Sequence, residues 1–170
     1  MKTKDRIQES LCRLMHEKTF ENITVKEIFE KADVNRSTYY RNFSSKEDII
    51  KYKLENILDE YIEEFEGQED TSRQNYINTI LATFSRHKEF FKTIHKHNQT
   101  YLLQNVLTEY FSVKDNVNDK KELYRSYYHI GGICSFTICW IENGMEDDIS
   151  ELSEIGAQLA DNAVSLYGIN

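Results

Sequence analysis

Thr24-Val25-Lys26-Glu27-Ile28-Phe29-Glu30-Lys31-Ala32-Asp33-Val34-Asn35-Arg36-Ser37-Thr38-Tyr39-Tyr40-Arg41-Asn42-Phe43-Ser44-Ser45-Lys46-Glu47-Asp48 is the stretch that decides the fold. Thr24 followed three residues later by Glu27 is a capping box, because the hydroxyl accepts from the third helical amide and the carboxylate reaches back. The pattern predicts a short helix to about Lys31 with Val25, Ile28 and Phe29 inward. Ala32 to Asn35 breaks it with two turn and cap residues, Asp33 and Asn35. A second short helix spans Arg36 to about Asn42. Ser44 and Ser45, with Glu47 and Asp48 three residues on, open a longer helix from Lys46 to about Glu66.

Two short helices across a turn, packed on a preceding helix, make a helix-turn-helix. The preceding helix is visible over residues 4–18, where Ile7, Leu11, Leu14 and Met15 recur at helical spacing. The amide end of the first short helix suits a phosphate, and Thr24 and Lys26 lie there. The second helix presents Arg36, Ser37, Thr38, Tyr40, Arg41 and Asn42, residue types suited to a major groove. Tyr40 and Lys46 suit phosphate contacts, which set register rather than sequence preference. Val34, Tyr39 and Phe43 read as core.

The rest of the chain reads as further helices. Gly67-Gln68-Glu69-Asp70 is the best candidate boundary. Helices are expected from Thr71, capped with Gln74, to about Arg86, from His87 to Lys96, and from Asn98 to Val113. After a polar loop at 114–119, a long apolar helix runs from Lys120 to about Glu142. A turn follows at 144–148, and a last helix covers Ile149 to Tyr167 with Gly168 as C-cap. The 170 residues contain six glycines and no proline, which favours long helices over strands and turns. The fold class expected is all-α.

Charge is divided unevenly. The first 53 residues hold 12 of the 21 basic and 9 of the 29 acidic residues, leaving 9 and 20 for the remainder. A basic head on an acidic body keeps a local attraction for phosphate that the net charge of −8 hides. The longest nearly uncharged run, Ser126 to Ile141, falls short of the roughly 20 residues of a membrane span. The first residues pass straight into an amphipathic pattern without a signal peptide, and three unpaired cysteines, Cys12, Cys134 and Cys139, suit a reducing cytoplasm.

The segments 24–28, 32–43 and 45–48 together resemble the DNA-binding domain of TetR-family transcriptional regulators, over about residues 4–52. Asp33 stands where that family often has glycine, and aspartate tolerates a left-handed turn better than most residues. The resemblance maps the recognition-helix residues onto Arg36, Ser37, Thr38, Tyr40 and Asn42, with Lys46 on phosphate. Gly131-Gly132, Trp140, Asn143-Gly144 and Ser150-Glu151-Leu152 are similar to a C-terminal domain of Firmicutes-type members. It implies an all-helical homodimer, usually a repressor. The head would span residues 1–52, and a body over 53–170 would dimerise and take a small-molecule effector. The partner would be a double-stranded DNA operator.

Two stripes are candidate dimer surfaces. Leu152, Ile155, Leu159, Ala163 and Leu166 recur at heptad-like spacing, and Tyr128, Gly132, Ser135 and Cys139 form a row of mostly small residues. Phe84, Phe91, Tyr101, Phe111, Tyr127 and Phe136, with Phe90, Ile94 and Leu102, are candidates to line an effector pocket, against the alternative that they are plain core. His87, His95 and His97 do not make a metal set, since His95 and His97 diverge on a helix and no cysteine or carboxylate completes them. No glycine-rich phosphate loop, nucleophile elbow or metal-protease pair supports an enzyme or a cofactor site. The alternative reading is a helical co-regulator that docks another protein without binding an operator itself.

Overall fold

In the computed structural model, which describes residues 2–111 and 119–162, the capping signals close the helices of the head much as the sequence predicts. α1 (Thr3–Glu17) buries Ile7, Leu11, Leu14 and Met15. α2 (Val25–Lys31) starts on Thr24, whose Oγ1 accepts from the Glu27 amide at 3.3 Å while Glu27 accepts from the Thr24 amide at 2.9 Å. α3 (Arg36–Asn42) starts on Asn35, whose side chain accepts from the Thr38 amide at 2.8 Å. Ser45, rather than Ser44, caps α4 (Lys46–Glu66), and Asp48 accepts from both serine amides at 3.0 Å.

The body continues with α5 (Arg73–Arg86), α6 (Lys88–Lys96), α7 (Tyr101–Tyr110), α8 (Lys120–Glu142) and α9 (Ile149–Asn162). Among the described residues there is no strand, and no helix is long and apolar enough to cross a membrane. α1 packs on α2 and on α4, and α2 packs on α3. α4 then runs on without a break into the body, against α5 and α7. The expected boundary after residue 52 therefore lies inside one helix: α4 is shared by head and body. α5 carries α9 on one side, and α8 lies on α6 and α7. At Gly156 the helices α9 and α5 come close, since a Cβ there would stand 3.1 Å from the Ile77 side chain. One hydrophobic core runs from Ile7 through Leu54, Leu58 and Phe84 to Trp140 and Met145.

Three differences from the sequence reading have local causes. The turn Phe20–Asn22 is a short 3₁₀ helix that buries Phe20, a single apolar residue that leaves no periodic signal. Ser72, not Thr71, caps α5, because its hydroxyl accepts from the Asn75 amide at 3.2 Å. α7 begins at Tyr101 rather than Asn98. Asn98 takes a left-handed φ of 56° that ends α6, and the Gln99 amide bonds back to the Ile94 carbonyl at 2.8 Å. Ala163, Leu166 and Gly168 lie outside the described residues.

Candidate nucleic-acid interface

The recognition helix is held from beneath by aromatic residues. Tyr39 is fully buried and donates its hydroxyl to the Ser45 carbonyl at 3.3 Å. Burial, with smaller contributions from Tyr40, Asp48 and Glu47, pushes its phenol up to about 12. Phe43 is buried too and meets Tyr52 edge-on at 5.7 Å, while the Lys4 ammonium stands over both rings. With those two residues inward, helical geometry turns Arg36, Ser37, Tyr40 and Arg41 outward, and all four are exposed. Tyr40 is 50% exposed and meets Tyr39 edge-on, and the Arg36 guanidinium carbon lies 5.6 Å from the Tyr40 ring centre. Arg41 reaches the Ser37 hydroxyl at 3.4 Å.

Electrostatics single out the same face. Arg6, Arg13, Lys18, Lys26, Lys31 and Lys51 each face a carboxylate. Among the described residues, neither Arg36 nor Arg41 does. The two arginines of α3 thus offer planar donors to an incoming anion or base edge with no carboxylate to displace.

Three expected contacts already have partners within the chain. Lys46 turns inward: its ammonium donates to the Phe20 carbonyl at 2.6 Å and the Ile23 carbonyl at 2.8 Å and stands 4.5 Å from the Phe20 ring centre. A lysine at a helix start satisfies buried carbonyls when a turn of the chain passes over it, and here the 3₁₀ turn does so. Asn42 spends its amide donor on the Thr38 carbonyl at 2.7 Å and, like Thr38, is only half exposed. Thr24 and Lys26 are exposed as expected. However, the amide end of α2 is occupied by Glu27, and Lys26 lies 3.7 Å from Glu30.

Glu27 is held down to about 2, first by its bond to the Lys18 ammonium and then by the Thr24 amide and hydroxyl. A folded value below the ordinary 4.5 means that the cap contributes fully above that pH and is lost as pH falls toward 2. Glu27→Gln is therefore expected to make the head's acid destabilisation shallower across that interval, as read by circular-dichroism melts at successive pH values.

Arg6, which sequence reasoning missed, organises the turn between the two short helices. Asp33 is left-handed, with φ of 51°, and the Val34 amide closes the turn on the Phe29 carbonyl at 3.0 Å. Arg6 of α1 donates to the Ala32 carbonyl at 2.7 Å, the Asp33 carbonyl at 2.8 Å and the Asp33 carboxylate at 3.2 Å. No local pattern pairs residues so far apart in sequence; the one available signal is an aspartate where glycine would be easier. Arg6→Ala is expected to cost the head about 1–3 kcal/mol, the scale for hydrogen bonds to a charged group, measurable by urea unfolding.

The body separates the expected pocket residues. Phe84 and Phe91 are buried against each other with ring centres 4.7 Å apart, as core. Tyr101 and Tyr127 are exposed, so they line no enclosed pocket with the phenylalanines. Phe111 packs on Tyr110, and Phe136 lies near the Gly156 approach. The surface tyrosines stand on helices whose buried faces are already filled by Leu102, Leu103 and Ile130. An aromatic contact unseen in sequence crosses this region: Tyr61 is buried and meets Tyr76 edge-on with ring centres 5.9 Å apart, and the Tyr76 hydroxyl lies 3.4 Å from His129. Burial raises both phenols and, together with Arg73, lowers the imidazole. His87 bonds Glu60 at 2.7 Å, and His97 bonds backbone; among the described residues no group of three or more ligands is placed to hold a metal.

The expected dimer stripes stay uncovered. Tyr128 is 64% exposed, Ser135 and Cys139 are exposed, and a Cβ at Gly132 would meet no atom within 4 Å. Tyr124 and Tyr127 extend this face of α8, and Ile155 and Leu159 are exposed on α9, with Leu152 half-buried beside them. An apolar face of this extent on two adjacent helices is unusual for a surface meeting water alone.

Comparison with known proteins agrees with this geometry. Residues 7–52 match the model of bacterial regulatory proteins of the tetR family, and residues 71–162 match a transcriptional regulator C-terminal region. An HTH-type transcriptional regulator of Staphylococcus aureus (strain USA300) is 32% identical over 73 residues, covering 43% of this chain and 40% of that protein. The chain spans about 40% of the length of the curated relatives it matches. The solved structure of Lin0861 from Listeria innocua aligns with a TM-score of 0.78 at 20% identity, over 95% of this chain and 90% of that one. A TetR transcriptional regulator from Streptococcus agalactiae 2603V aligns with a TM-score of 0.59 at 20% identity, over 92% of each chain. The dihydroxyacetone kinase operon activator DhaS aligns with a TM-score of 0.55 at 19% identity, over 96% of this chain and 97% of that one. With a helix-turn-helix whose outer helix bares two arginines that face no carboxylate, and with both parts of the chain matched, this protein belongs to the TetR family of transcriptional regulators and carries that family's helix-turn-helix DNA-binding domain.

Proposed function

We propose that the protein is a cytoplasmic repressor that binds a pseudo-palindromic operator as a homodimer. The observation that carries this reading is the pairing of an outward-facing α3 with an uncovered apolar face on α8 and α9. Two copies meeting through that face give two heads related by a two-fold axis, and such heads read half-sites one helical turn, about 34–36 Å, or a multiple of it apart. Arg36, Ser37, Thr38, Tyr40 and Arg41 read or bracket the half-site, Thr24 and Lys26 flank it, and Asn42 joins them once its amide leaves the Thr38 carbonyl. The head is assigned to residues 1–52 and the body to 53–170.

A small-molecule effector acting on the body changes DNA affinity only by binding two head spacings unequally. The name of DhaS, an operon activator, is the observation that favours a second sign of regulation on this fold, activation in place of repression. A co-regulator that docks a protein without binding an operator is a weaker reading, because the exposed α3 arginines face no carboxylate among the described residues of their own chain.

The test is operator selection from fragmented genomic DNA at about 0.15 M salt, with Tyr40→Ala as control. A pseudo-palindrome enriched by the wild type and lost in the variant is the expected result. Equal recovery by both proteins would overturn the operator reading and favour protein docking.

A further inference from the structure

His97 ends α6 and is buried at the joint between body and head. Its Nδ1 accepts from the Phe20 amide at 3.2 Å. A backbone amide can only donate, so Nδ1 carries no proton. The proton therefore sits on Nε2, which donates to the Met15 carbonyl at 2.8 Å. One neutral imidazole thus bonds both the last turn of α1 and the 3₁₀ turn. The same Phe20 gives its carbonyl and its ring to Lys46 at the start of α4, four residues past the end of α3. The Ile23 carbonyl, next to the Thr24 cap of α2, also accepts from Lys46. A polar thread therefore leads from the end of a body helix, through Phe20, to the starts of α2 and α4. It is separate from α4 itself, which joins the two parts as a continuous rod.

We propose that His97 is a positioning residue for DNA binding: its Nδ1 holds the Phe20 turn, and through that turn the end of α6 sets the pose of α2 and α3 relative to the body. The proposal rests on the DNA-binding regulator reading and names how a change in the body reaches the head. Movement of the end of α6 pulls on the Phe20 amide. Phe20 passes the displacement to Lys46 and the Thr24 cap, which bracket the two short helices. The neutral tautomer is essential, because only an unprotonated Nδ1 accepts from an amide.

The test compares the full-length wild type with His97→Phe, His97→Asn and His97→Gln. The first keeps the ring and removes both bonds. An asparagine oxygen falls near the Nδ1 position and keeps the Phe20 bond. A glutamine amide falls near Nε2 and keeps the Met15 bond. The readouts are amide hydrogen exchange and affinity for the duplex enriched by selection. His97→Phe is expected to raise exchange from Phe20 through α2 and α3 and to weaken duplex binding, each about fivefold to tenfold, while α5 and α8 are unchanged. Asparagine should restore both readouts, and glutamine neither. Faster exchange confined to the Phe20 amide, with α2, α3 and duplex affinity unmoved, would overturn the proposal, as would equal rescue by glutamine. If His97→Phe does not fold, the asparagine–glutamine difference decides alone. If the wild type enriches no duplex, the regulator reading fails, while the exchange data still judge the joint.

Discussion

Gly132→Arg is expected to leave the protomer folded and to weaken operator binding by a factor of about 10²–10⁴, the gain that joining two half-site contacts provides. Gly132 lies midway along the exposed row of α8, between Tyr128 and Ser135, and beyond its neighbours and the backbone of its own helix a Cβ there meets no atom within 4 Å. An arginine therefore fits the isolated protomer and extends into whatever covers this face. In a two-fold interface the same substitution appears twice, so each partner meets a bulky charge where small residues allowed close approach. Sedimentation should show a dimer become a monomer, and the thermal midpoint should lose its dependence on protein concentration. A variant that remains dimeric and binds the selected duplex normally would place the dimer surface elsewhere.

Arg36→Ala and Lys46→Met should separate two roles that the sequence reading assigned together to DNA. Arg36 is exposed, touches its own protein through the Tyr40 ring and faces no carboxylate. Its loss should cost about 1–3 kcal/mol on the selected duplex and relax preference at one base position, with the unfolding midpoint unchanged. Lys46 is spent on two backbone carbonyls and a ring. Methionine there keeps the stem and leaves those carbonyls unpaired, so the head should lose about 1–3 kcal/mol of stability. The ratio of specific to non-specific binding should stay the same. Urea unfolding and binding to the selected and a scrambled duplex measure both. A flatter salt dependence in Lys46→Met, with stability intact, would return Lys46 to phosphate.

Both variants trace the line between what was legible in sequence and what was not. The helix-turn-helix was legible because its determinants are local. Thr24 and Glu27, Asn35 and Thr38, and Ser45 and Asp48 lie three residues apart, and a cap is a bond between a side chain and a nearby amide. Tyr39 and Phe43 were legible as core because helical periodicity puts them beneath α3. The exposed small-residue row of α8 followed from the same arithmetic.

What local pattern did not encode was which distant residue stands opposite. Aromatic residues at helical spacing read equally as core or as pocket, and only packing sent Phe84 and Phe91 inward and Tyr101 and Tyr127 out to solvent. Lys46 looked like a phosphate ligand because it begins a helix beside α3, yet the chain at Phe20 passes over it first.

The sequence by itself determined an all-helical chain, the capped helix-turn-helix and the face of α3 that looks outward, because backbone hydrogen bonding and periodic apolar spacing act over a few residues. Only the tertiary structure decided that Arg6 clips the Asp33 turn, that Lys46 faces inward and that His97 bonds the head. These contacts join residues 23 to 82 positions apart, and a side chain's partner at that range depends on how the helices stack, which no local pattern encodes.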